Sequence, residues 1–137
     1  MRLSITGEQS VLLTLEDGPL DISIDTDAPH AGFGPLQMLA TSLATCTGSV
    51  LASYAQTAKL EIDGAQIAVE WDYDQQPYRV GAFRMAILWP EAVPEPRRRA
   101  LLRAAEHCTV HTTLLHPPTI ATTLEFRPAA GEEAADA

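Results

Sequence analysis

Residues 35–56 read PLQMLATSLATCTGSVLASYAQ. Leu36, Leu39, Ala40, Leu43, Ala44, Thr47, Val50, Leu51 and Tyr54 recur at spacings of three and four, which marks a helix buried over a wide face. Pro35 suits its first position, where a missing N–H costs nothing. The stretch holds no charged residue, and its opposite side is Ala, Thr and Ser. A helix so poor in charge is enclosed on most sides. In a chain of 137 residues, that points to a second subunit helping to cover it. Cys46 lies within the buried arc, between Leu43 and Val50.

The segments around this helix read as strands and one further helix. Residues 1–25 are expected to form a strand meander: Arg2–Ile5, Val11–Leu15 and the strict alternation of Leu20–Asp25, separated by turn residues at Gly7-Glu8 and Glu16–Pro19. Residues 26–34 form a loop. Residues 65–73 and 78–89 are two strands joined through Gln75-Gln76-Pro77, and Pro90 ends the second. Pro94 and Pro96 open a helix over 95–107 whose apolar stripe runs Leu101, Leu102, Ala105, Cys108. That helix either breaks at Cys108 or runs on until His116-Pro117-Pro118 stops it. Ile120–Phe126 is expected as a last strand. The order shows no strand–helix alternation, so the class is α+β, a largely antiparallel sheet packed on helices. One domain over 1–127 and an acidic, disordered tail over 128–137 are expected.

The formal net charge is −9. An acidic surface repels phosphate backbones and anionic bilayers, which argues against nucleic acid and membrane as partners. No stretch is long enough to span a bilayer and the first residues carry no signal-peptide pattern, so the cytoplasm is the expected compartment. There, a pair of cysteines more often has redox chemistry or stays reduced than forms a structural disulfide.

Cys46 and Cys108 are the only cysteines. A thiol that meets an oxidant becomes a sulfenic acid, and a second thiol can resolve it to a disulfide. The alternative is that both are small buried apolar residues. The nucleophile is the thiolate, which needs a cation, a helix N-terminus or hydrogen bonds to form at neutral pH. Cys46 sits mid-helix, so a cation from elsewhere is expected, with Arg2, Arg79 and Arg84 as candidates. His107 and His111 flank Cys108, but the short CxxC-type spacing of a structural zinc site is missing. No metal is expected. Arg97, Arg98 and Arg99 read as solvated helix surface.

Gly34–Gln56, GPLQMLATSLATCTGSVLASYAQ, together with EHCTVHTTLL around Cys108, resembles the two cysteine segments of the OsmC/Ohr family, over about residues 1–126. The resemblance implies an intertwined homodimer, with sheets wrapped around two central helices and active sites at the subunit interface. It implies thiol-dependent reduction of organic hydroperoxides without a cofactor. Cys46 would be the oxidised thiolate and Cys108 the resolving thiol, and a dithiol, lipoyl-type in some relatives, would reset the pair. In the hydroperoxide-resistance branch an N-terminal Arg activates the thiolate and a Glu just after the helix-opening Pro holds it. Here Arg2 is the one Arg before the helix, Leu36 stands at the Glu position, and Gln37 could hold a guanidinium only by hydrogen bonds. Phe33, Leu36, Leu39 and Tyr54 are expected to line an apolar substrate pocket. A dimer of this fold that binds a small apolar ligand without efficient turnover is the alternative.

Overall fold

Alternation in the first fifteen residues produces a hairpin. β1 (Arg2–Gly7) and β2 (Ser10–Leu15) pair antiparallel, with Leu3 opposite Leu13 and Ile5 opposite Val11. All four, with Leu15, are buried on one face, as a period of two requires when one face meets a core. The computed structural model describes residues 1–16, 21–24 and 34–129, with 21–24 described through the backbone. β2 pairs on its other side with β4 (Ala65–Gln75), which pairs antiparallel with β5 (Tyr78–Leu88). β3 (Asp21–Ile24) runs parallel to β1 on that strand's outer edge, so the order is β3-β1-β2-β4-β5. The expected meander is therefore corrected at its third strand. β4 occupies the second edge of β2, and β1 offers β3 the open one.

The core face of the sheet carries Ile67, Val69 and Trp71 from β4, all buried, with Phe83, Met85 and Ile87 of β5 packed against them. Trp71 and Phe83 meet at 6.5 Å between ring centroids, and the Trp71 indole N–H donates to the Tyr73 hydroxyl at 3.2 Å. The outer face is wet: Glu70, Asp72 and Arg84 are exposed there and pair with one another.

α1 (Pro35–Ala58) lies across the core face and touches β2, β4, α2 (Glu95–Glu106) and α3 (Thr109–Leu115). Its buried residues are Ala40, Leu43, Ala44, Thr47, Gly48, Leu51 and Ala55. Gly48 is there because of close approach: a Cβ at this position would stand 2.6 Å from Leu13 Cδ2 and 3.0 Å from Leu15 Cδ2. The helix ends at Lys59, which takes the left-handed conformation (φ 56°, ψ 44°).

The second helical segment is two helices. α2 stops at Glu106, and Cys108 turns the chain into extended geometry (φ −64°, ψ 131°) before α3 begins. Residues 117–129 form neither helix nor strand, so the strand expected at Ile120–Phe126 is absent within this chain. Ile120, Leu124 and Phe126 are 84%, 82% and 86% exposed. Their alternation suits a sheet edge, and none among the described residues takes them. Among the described residues, no helix is long and apolar enough to cross a membrane. The expected acidic tail falls largely outside the described residues.

Candidate active site

The break at Cys108 builds the site. Cys108 is the N-cap of α3: its sulfur accepts the His111 N–H at 3.4 Å and its carbonyl accepts the Thr112 N–H at 3.0 Å. N-cap positions favour short side chains that can accept such bonds, and a thiol serves here in place of a hydroxyl. Cys108 is fully buried. Because α3 packs on α1, this cap is brought against the middle of α1, where Cys46 lies half-buried at the margin of the core.

Both cysteines are free thiols, and each shifts the titration of the other. Partial burial pushes the Cys46 thiol up. Hydrogen bonds from the Cys108 thiol and from the backbone N–H groups of Val110 and Thr109 together outweigh that, so Cys46 titrates below the ordinary thiol value. Cys108 is shifted the other way. Burial is the main cause, and its hydrogen bond and charge interaction with Cys46 add to it, against weaker support from the His111 N–H and the Thr47 hydroxyl. Thr47 Oγ1 is buried without a hydrogen-bond partner of ordinary length among the described residues. It faces Cys108 and is placed to donate to a thiolate there.

The cation expected from the sequence does not supply these bonds. In β1 Leu3 and Ile5 are buried, so Arg2 alternates to the face of the sheet away from α1 and is exposed. Arg84 is on that outer face with Asp72 and Glu70, and Arg79 pairs with Asp74 at 3.0 Å. The donors to Cys46 come instead from the first turn of a second helix. The sequence reading weighed only the helix that contains Cys46. The signal it passed over was Cys108-Thr109, a short cap residue behind a helix that could end there.

The expected pocket residues are scattered. Phe33 lies outside the described residues. Leu36 is half-buried against the core, and Leu39 is half-buried too. Gln37 uses its amide: Nε2 donates to the Glu8 carbonyl at 2.7 Å, which pins the start of α1 to the β1–β2 turn. Tyr54 lines an open groove between α1 and α2 with Ala104 and His107. A cavity of about 500 Å³ is bordered by Leu43, Arg79, Phe83, Met85, Leu102 and His111; neither cysteine and none of the described residues among the expected pocket lining is in its walls. Leu43 is one turn before Cys46. Among the described residues, no group of three or more His, Cys, Asp or Glu side chains could hold a metal ion.

The family model for OsmC-like proteins matches residues 27–123, well over half of the chain and both cysteines. The chain belongs to the OsmC-like family. Two solved OsmC-type structures resemble it. A protein of Psychrobacter arcticus 273-4, described as an osmotic stress induced and detoxification response protein, is 25% identical with a TM-score of 0.58. That alignment covers 62% of each chain, so the OsmC-like chain here spans under two thirds of that protein's length. An OsmC-like hydroperoxide resistance protein of Jannaschia sp. CCS1 is 24% identical with a TM-score of 0.55, over 74% of this chain and 72% of that one, and shares the fold. No curated protein matches the sequence.

Proposed function

We propose that this OsmC-like protein is a thiol-dependent peroxidase that reduces organic hydroperoxides. The observation that carries the proposal is the hydrogen-bonded pair in which Cys46 is shifted towards the thiolate and Cys108 towards the thiol. A nucleophile and a protonated partner are thereby assigned before any oxidant arrives. The Cys46 thiolate attacks the terminal oxygen of R–O–OH. The S–O bond forms, the O–O bond breaks, and the alkoxide leaves and takes a proton to give the alcohol. The Cys108 sulfur then attacks the sulfenic sulfur, forming the disulfide and releasing water. A dithiol, lipoyl-type by this proposal and acting in the reducing cytoplasm, restores both thiols by two exchange steps.

The working unit in this proposal is a homodimer. Two features support it: α1 holds no charged residue over its 24 positions, and the apolar side chains of Ile120, Leu124 and Phe126 stand exposed beyond α3. A second copy would cover both. The cavity beside His111 has Leu43, Phe83, Met85 and Leu102 in its walls together with Arg79 and Glu106, and its apolar side supports an organic group on the substrate, and equally a dimer that binds a small ligand without turnover.

Turnover of cumene hydroperoxide with a dithiol donor separates the two. Wild type is expected to turn over, Cys46→Ser to be inactive, and Cys108→Ser to accumulate a sulfenic acid that dimedone traps. A wild-type protein that forms no sulfenic acid leaves ligand binding as the function.

A further inference from the structure

Closing the disulfide is a proton-transfer problem that two thiols alone do not solve. The Cys108 proton has to leave as its sulfur attacks, and hydroxide, a poor leaving group, has to depart from Cys46 with a proton. Cys108 is fully buried, so bulk water does not reach it to take its proton.

One side chain at this position has an unexplained polar atom. Nδ1 of His111 is buried and has no hydrogen-bond partner among the described residues, a state that is rare for native polar groups and asks for a reason. His111 occupies the third position of α3. From that position a side chain leans back towards the N-cap residue, as the acidic member of a capping box does. The N-cap residue is Cys108, whose sulfur already accepts the His111 backbone N–H at 3.4 Å. The same imidazole borders the 500 Å³ cavity. A neutral imidazole has one nitrogen that accepts a proton and one that donates. His107, the other histidine beside Cys108, is exposed and lines the groove beside Tyr54.

We infer that His111 carries the proton of the resolving step. The inference rests on the peroxidase proposal for the first oxidation, but concerns only the closing reaction, Cys46–S–OH plus Cys108–S–H to disulfide plus water. The S–S bond forms and the S–O bond breaks. The sulfenic sulfur is reduced and the Cys108 sulfur oxidised, so no outside reductant enters. The Cys108 proton passes to the imidazole, and the ring gives a proton to the departing hydroxide, which leaves as water towards the cavity.

The test is a single turnover on the full chain. Reduced wild type, His111→Ala and His111→Asn are mixed with one equivalent of cumene hydroperoxide, and sulfenic acid and disulfide are followed separately by quenching and mass spectrometry. Relative to its own rate of sulfenic acid formation, each variant is expected to close the disulfide roughly 10²-fold more slowly than wild type, the scale of general acid–base assistance. Added imidazole is expected to speed closure in His111→Ala and not in wild type. Unchanged closure, equal slowing of both steps, or slowing that imidazole does not relieve overturns the inference; the last two indicate a structural role. A variant that loses rapid Cys46 alkylation is misfolded, and the other then decides. Diamide, which accepts the two electrons and protons of the thiol pair, closes the same disulfide without a hydroperoxide. If wild type ignores hydroperoxide yet the variants still close slowly with diamide, the peroxidase proposal fails and the role of His111 stands. If the variants close as fast as wild type with diamide, the role of His111 fails.

Discussion

The Cys46 sulfur accepts a hydrogen bond from the Cys108 thiol, and this contact moves the two groups in opposite directions. One proton is held between two sulfurs, and burial of Cys108 decides where it stays. Backbone N–H groups and a neighbouring thiol thus set the two sulfurs apart in acidity.

The order of the two thiols is measurable by alkylation. Cys46 lies below the ordinary thiol value, so its iodoacetamide rate should level off at a lower pH than that of a free thiol such as glutathione. Cys108, buried and raised, should label more slowly and only at higher pH. In Cys108→Ala the midpoint of Cys46 should rise, because a donor to its thiolate is gone. It should stay under the value set by burial alone, because the Val110 and Thr109 N–H groups remain. In Cys46→Ala the midpoint of Cys108 should fall, because the hydrogen bond and charge interaction with Cys46 that raise it are gone.

Arginine substitution should spare the thiol. Arg2 faces away from α1 and Arg84 is engaged with Asp72 and Glu70. Arg2→Ala and Arg84→Ala should each leave the alkylation rate of Cys46 at pH 7 within about twofold of wild type, since exposed charges on the far face act through screening solvent. A tenfold loss in either would place a guanidinium at the sulfur.

Gly48→Ala should destabilise the protein. Alanine gains about 1 kcal/mol in a helix interior over glycine. Against this, the new Cβ meets Leu13 and Leu15 at 2.6 and 3.0 Å, and overpacking a buried contact costs about 1–3 kcal/mol. The clash outweighs the propensity gain, and thermal unfolding should show a lower Tm. A raised Tm would mean that the two leucines move aside freely.

Lys59→Gly should act in the opposite sense. Lys59 holds φ at 56°, a conformation that costs a residue with a Cβ about 1 kcal/mol and glycine almost nothing. Its N–H still caps Ala55 and Gln56. A rise in Tm of a few degrees is expected, with Cys46 alkylation unchanged.

The exposed arm tests the proposed dimer. The triple variant Ile120→Ser, Leu124→Ser, Phe126→Ser removes the apolar side chains that project from the described chain. Sedimentation velocity should show wild type as a dimer and the variant shifted towards monomer. An unchanged sedimentation coefficient would leave the arm without a part in assembly.

Much of the architecture was legible because it is written in short periods. The three-and-four spacing of Leu36 to Tyr54 marks α1, alternation marks β1, and β-prone runs bounded by turn residues mark β2, β4 and β5, since each pattern depends only on its own element. The third strand was misassigned to a meander because pairing partners are chosen in space, where β4 had taken the edge of β2. Ile120–Phe126 carries a strand pattern and forms no strand here, because alternation states a preference that only an available edge can satisfy.

The candidate site divides along the same line. The sequence alone determined that there are two thiols, one in the middle of an uncharged helix and one at a possible helix boundary, and the family resemblance made them a pair. Tertiary structure decided what favours the Cys46 thiolate and what holds Cys108 protonated. The expectation of a cation came from treating Cys46 with its own helix, whose ends are far away. Packing of α3 on α1 sets the Cys108 thiol and two backbone N–H groups at the Cys46 sulfur, and β1 alternation turns Arg2 the other way. Hydrogen bonds act over about 3 Å, so which groups support a thiolate depends on distances that chain order does not contain.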